Sequence, residues 1–136
     1  MWEAMEKISE KGRRCSWVDI YRSLESLSTE DLMRERGVAE IIASKRLLKI
    51  ISGDLIVYLV GVGSHIHMVL PRIYCSCTDF SINVASRCLK PFCVHLAAVE
   101  LAERKKFYRE IYLKGDELSK IIASILEGEV SPYISI

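Results

Sequence analysis

Apolar residues return at helical intervals through the first third of the chain and crowd into short runs just after it. Trp17, Ile20, Tyr21, Leu24 and Leu27 recur at helical spacing behind Ser16, a residue suited to cap a helix. Ser28-Thr29-Glu30-Asp31 supplies a second start, a hydroxyl cap with acids in the first turn. Leu32, Met33, Val38, Ile41 and Ile42 carry the stripe onward, with Gly37 as a weak point or kink. Residues 1–46 are therefore expected to be helical, with their apolar faces turned to a core.

From Leu47 the pattern changes. Leu47–Ser52, Leu55–Val62 and His65–Leu70 are rich in Ile, Val, Leu and Tyr, and Gly53-Asp54 and Gly61-Val62-Gly63-Ser64 punctuate them. This predicts three short antiparallel strands joined by tight turns. In the third, Ile66, Met68 and Leu70 share one face and His65, His67 and Val69 the other. A His-x-His pair on a strand is able to ligate a metal; a half-exposed polar face is the plainer reading. Cys93–Tyr108 then reads as a helix with a wide apolar stripe, ending in Arg104-Lys105-Lys106. Gly115-Asp116 opens a last helix bearing Leu118, Ile121, Ile122, Ile125 and Leu126, with Gly128 placed to cap it and an apolar tail, Val130–Ile136, beyond. The expected class is α+β: N-terminal helices, a small antiparallel hairpin or three-stranded sheet, a cysteine-bearing connection and two C-terminal helices. Residues 1–46, 47–113 and 114–136 are expected to form one compact unit.

Composition narrows the function classes. A chain of 136 residues, half of them hydrophobic, has enough apolar surface for one core. A formal charge of +1 excludes polyelectrolyte binding of nucleic acid by the chain as a whole, though not by a local basic face. Met1-Trp2-Glu3-Ala4-Met5-Glu6-Lys7 mixes charge with apolar residues and lacks the apolar stretch of a signal peptide. The apolar run Leu55–Gly63 is too short to span a bilayer, which takes about 20 residues. A soluble cytoplasmic protein is expected, nuclear if eukaryotic. The absence of Gln and the single Asn83 carry the bias of a thermophile shedding labile amides.

Cys15, Cys75, Cys77, Cys88 and Cys93 are an odd set, which points to metal or thiol chemistry rather than an extracellular disulfide scaffold. Cys75-Ser76-Cys77 is followed, after residues 78–92, by Cys93-Val94-His95. Zinc takes four soft or borderline ligands in a tetrahedron, and three thiolates with one imidazole form a common closed structural set. In an extended segment residues i and i+2 face one side, so Cys75 and Cys77 can converge on one ion. In a helix they diverge, so Cys93 belongs before the helix and His95 in its first turn. The helix N-terminus then lowers the thiol pKa values and offsets the negative charge of the centre. Cys88 offers an alternative four-thiolate set, Cys75, Cys77, Cys88 and Cys93, that leaves His95 outside. Cys15 is remote and reads as a buried or stray thiol.

Cys75-Ser76-Cys77-Thr78-Asp79-Phe80 followed by Cys93-Val94-His95-Leu96-Ala97-Ala98 resembles the SWIM zinc finger, whose pattern is CxC, a variable gap, then CxH. The hydrophobic hairpin before it and the helix after it suit the SWIM ββα core. The extension to CxHxxA, with Ala98 in the last position, looks like the Sws/Shu2 branch. Those are small stand-alone SWIM proteins of eukaryotes and archaea that act in homologous recombination with paralogues of the RecA-type recombinase. The resemblance implies one zinc ion per chain on Cys75, Cys77, Cys93 and His95, and a RecA-family paralogue as partner.

No GxxxxGK[ST] and no HxE with PCxxC occurs, so neither a P-loop ATPase nor a zinc deaminase is expected. A closed site also leaves zinc no position for a reacting water, so the chain is read as a non-enzyme. Two classes remain. The first is an adapter for a RecA-family paralogue, because the N-terminal helices, the last helix and the tail offer more apolar stripe than one small hairpin covers. Expressed alone, such a chain is expected to form a homodimer through Leu118, Ile121, Ile122 and Ile125 or its N-terminal helices. The second is weak, electrostatic contact with DNA through Arg87, Lys90, Arg104, Lys105, Lys106 and Arg109, with Phe80, Phe92, Phe107 and Tyr108 available to stack on bases.

Overall fold

The computed structural model describes residues 16–127. The readings made for residues 1–15, for the Gly128 cap and for the apolar tail lie outside the described residues. Among the described residues the first elements are three short helices: α1 (Trp17–Ser26), α2 (Thr29–Arg34) and α3 (Val38–Ser44). Both predicted hydroxyl caps are made, with Ser16 accepting from the backbone N–H of Asp19 and Ser28 from that of Asp31. Gly37 separates α2 from α3 at a φ of 91°, a left-handed conformation that favours glycine. A Cβ at this position would stand 3.0 Å from a methyl of Val94, so its absence seats the α2–α3 corner against the ligand-bearing helix.

Strands β1 (Leu47–Ser52), β2 (Leu55–Val62) and β3 (His65–Leu70) form the antiparallel meander with the predicted bounds. The sheet is larger than expected. A two-residue β4 (Tyr74–Cys75) joins beside β3, and β5 (Arg109–Tyr112) pairs in parallel with β1, giving the five-stranded order β4-β3-β2-β1-β5. Between β4 and the long helix α4 (Val94–Lys105) runs a π-helical segment, Phe80–Ser86. Helix α4 is shorter than the predicted Cys93–Tyr108. Lys106 takes a left-handed conformation at its C-terminus, and the chain turns there into β5. Helix α5 (Gly115–Leu126) closes the described chain.

The class is α+β, with both sheet faces covered. Helices α1–α3 and α4 bury Ile20, Leu24, Leu32, Val38, Leu96 and Leu101 on the face that carries Leu47, Tyr58, Val60 and Val69. Helix α5 buries Leu118, Ile121 and Ile125 on the opposite face, against Leu48, Ile50, Val57, Leu59 and Met68. This corrects the expectation that the α5 stripe is surplus. A hairpin alone leaves it without a partner, but a meander with two covered faces uses it as the second half of the core. Among the described residues no helix is long and apolar enough to cross a membrane.

Candidate metal centre

Four side chains converge at the β4 side of the sheet. Cys75 ends β4, Cys77 follows two residues later, Cys93 is the extended N-cap residue of α4, and His95 lies in the first turn of that helix. Their ligand atoms all fall within 4.8 Å of one another, so the described residues bring together the set Cys75, Cys77, Cys93 and His95. His95 presents Nδ1, which stands 3.7 Å from Sγ of Cys75 and 3.9 Å from Sγ of Cys93. A tetrahedral site with metal–sulfur bonds near 2.3 Å and metal–nitrogen bonds near 2.0 Å has sulfur–nitrogen edges of about 3.5 Å. The donor set and its spacing therefore fit one metal ion.

Local structure explains the convergence. Cys75 pairs with Val69 in the sheet, which turns its side chain to the same face as His67 and Val60. The backbone N–H of Phe80 donates to Sγ of Cys77 at 3.3 Å, as the segment after the second thiol starts to coil. The connection between the ligand pairs holds itself in place. Phe80 and Val84 are buried, Asn83 Nδ2 donates to Asp79 Oδ1 at 2.7 Å, and the Asn83 carbonyl accepts from the N–H of Leu89 at 2.7 Å. Cys93 then meets the N-terminus of α4, whose partial positive charge suits thiolates.

The centre is closed to solvent: Cys75, Cys77 and Cys93 are 0%, 4% and 1% exposed and His95 is 8% exposed. Hydrogen bonds with Cys75 and Cys93 hold the Cys77 thiol far below its ordinary range; burial opposes them, and His95 and the Phe80 N–H add to them. Hydrogen bonds with Cys77 and Cys93, followed by burial, push Cys75 far up. Cys93 is pushed up to about 12, because its bond with Cys75 lowers it less than the bond with Cys77 and burial raise it. The three thiols interact strongly enough to titrate as a set, and a metal ion binding there would displace protons from that set.

Cys88 stands apart. It sits at a φ of 54° beyond the π-helical segment and is disulfide-bonded, so the four-thiolate alternative finds no support. His67, read from the sequence as part of a half-exposed polar face, is half-buried and lies outside the ligand set. Its ring centroid lies 4.4 Å from that of His95, and burial, with His95 adding to it, lowers its pKa. The alternation of β3 put His67 on one face with His65 and Val69, and only the fold brings His95 of α4 beside it.

The basic residues named as DNA contacts separate into two groups. Arg104 is spent inside the protein: Nε donates to Glu100 at 3.0 Å, and its terminal nitrogens donate to the carbonyls of Leu27 at 2.7 Å and Leu24 at 3.1 Å. It closes the C-terminus of α1. Arg87, Lys90, Lys105, Lys106 and Arg109 are exposed, with Lys90 paired to Asp79. Comparisons with protein-family profiles, with curated proteins and with solved structures give no match to this chain.

Proposed function

We propose that this chain is a zinc-stapled SWIM-type adapter that partners a RecA-family recombinase paralogue in homologous recombination and DNA repair. The observation that carries the reading is the buried Cys75, Cys77, Cys93 and His95 cluster, built on a CxC pair at a strand end and a CxHxxA pair at a helix start. Zinc is the ion this donor set favours, since three thiolates and one imidazole in a closed tetrahedron are a structural zinc arrangement. All four positions are taken by protein, so the ion holds β4 to α4 and offers no site for a reacting water. Trp17, Met33, Leu89 and Phe107 remain exposed for a partner to cover. The test is affinity purification of the full chain from its native cell, with and without nuclease. A recombinase paralogue retained after nuclease treatment supports the adapter, and its absence from nuclease-resistant contacts counts against it.

A second reading, weak nucleic-acid binding, is favoured by the exposure of Lys105 at the end of α4, Lys106 at its C-terminal cap and Arg109 at the start of β5. Binding by that face is electrostatic and falls steeply with salt.

A further inference from the structure

The His65-x-His67 pair has no part in the ligand set, yet it stands in line with it. The rings of His65 and His67 stack at a centroid distance of 6.3 Å and an interplanar angle of 20°. The rings of His67 and His95 follow at 4.4 Å and 43°. Exposure falls along this row, from an exposed His65 through a half-buried His67 to the buried His95 and cysteines. His95 is the least buried of the four ligands, while the sulfurs belong to the helical core with Leu96, Ala97 and Phe80. The imidazoles of this row are thus more exposed than the three sulfur ligands.

We propose that His65 and His67 are a metal-transfer track, transient ligands that carry a divalent ion between solvent and the Cys3His centre. The proposal rests on the metal reading above. A hydrated divalent ion sheds water one ligand at a time, and imidazole is a borderline donor suited to zinc and its neighbours. In the inward step a nitrogen lone pair of His65, then of His67, replaces a bound water, which returns to solvent. A cysteine sulfur then bonds the ion as its proton passes to solvent and the His67 bond breaks. The ion stays divalent throughout, so neither oxidant nor reductant is involved. The outward path is the same sequence reversed, with the sulfur reprotonated.

Reversibility makes the proposal sharp. A transit ligand speeds loading and release alike and leaves the equilibrium unchanged, whereas a mere cover slows release. The experiment follows zinc leaving the full-length holoprotein into excess 4-(2-pyridylazo)resorcinol by absorbance, with exchange of bound zinc for added radioactive zinc as a second readout. His67→Leu keeps apolar bulk over His95 without a ligating nitrogen, and His65→Ala alters only an exposed ring. The track predicts that His67→Leu retains full zinc at equilibrium but slows both release and exchange about tenfold, the scale on which groups flanking a metal centre act. His65→Ala shows a smaller slowing in the same direction. Release that is unchanged or faster in both variants overturns the track while leaving the metal centre intact. If His67→Leu fails to fold, His65→Ala decides alone: slowing supports the track, and a wild-type rate overturns it. A wild-type chain purified without zinc overturns the metal reading itself, and the track with it.

Discussion

Arg72 and Glu100 are joined by two parallel hydrogen bonds, Nε to Oε1 and Nη2 to Oε2, each 2.9 Å long. Arg72 lies in the turn that leads into β4 and Cys75, at a φ of 67°, a strained value for a residue with a side chain. Glu100 lies about one and a half turns beyond His95 on α4 and is 4% exposed. The pair therefore ties the strand that carries one ligand to the helix that carries two. Arg104 binds the same carboxylate and reaches back to the end of α1, so one buried acid links three parts of the fold.

Removing that acid should be costly. Glu100→Ala leaves the half-buried Arg104 without its carboxylate and Arg72 with only the looser Glu25 contact at 3.7 Å, and a loss on the order of 3 kcal/mol is expected. Urea denaturation of the zinc-loaded protein measures it. A change below about 0.5 kcal/mol, typical of an exposed ion pair, would contradict the linking role.

The same residue gives a pH dependence with a definite sign. Burial alone raises the Glu100 carboxyl, but hydrogen bonds from Arg72 and Arg104 outweigh it, so the folded-state pKa is depressed. A depressed carboxylate contributes stability that is fully present above its unfolded value of about 4.3 and lost as pH falls through the folded value. The stability gap between wild type and Glu100→Gln should be widest above about pH 5 and narrow as the solution is acidified further. Thermal melts across that range check it, and a gap that widens in acid would contradict the assignment.

Strands β1 to β3, the main helices and the convergence of Cys75, Cys77, Cys93 and His95 were legible because each has a local cause. Dense β-branched runs broken at Gly53 and Gly63 specify the meander, and the i, i+2 thiols before a helix start specify the centre. Strand β5 was not legible: Arg109-Glu110-Ile111-Tyr112 is short and charged, and Phe107 prolongs the helical stripe of α4 across the turn at Lys106. Its pairing with β1 comes from the tertiary fold. Arg104 looks like its basic neighbours in the sequence, since Glu100 is on the same helix but the Leu24 and Leu27 carbonyls are far along the chain.

Arg104 and its neighbours should therefore separate by experiment. A double variant, Lys105→Glu with Lys106→Glu, is expected to flatten the salt dependence of any DNA binding while changing stability little. Arg104→Ala is expected to destabilise by about 2 kcal/mol, because two carbonyls and a buried carboxylate lose a donor. Salt titrations and denaturation of both proteins test the distinction. Equal effects of the two changes on stability would contradict it.

Helix α5 supplies a test of the second core layer. Ile121 is buried among Leu48, Ile50 and Val57, so Ile121→Ala should cost about 3 kcal/mol. The loss should not depend on protein concentration, since the contact lies within one chain. A concentration-dependent loss, as from a broken dimer, would contradict this placement.

The most direct measurement of the central claim is elemental analysis of three purified proteins: wild type, Cys88→Ser and Cys93→Ser. The account predicts one zinc per chain in wild type and in Cys88→Ser. Cys93→Ser should hold almost none and lose its fold, because a structural zinc of this kind contributes on the order of 10 kcal/mol to folding. Full zinc occupancy in Cys93→Ser, or loss of zinc in Cys88→Ser with Cys93 intact, would contradict the assignment of Cys75, Cys77, Cys93 and His95 as the ligands.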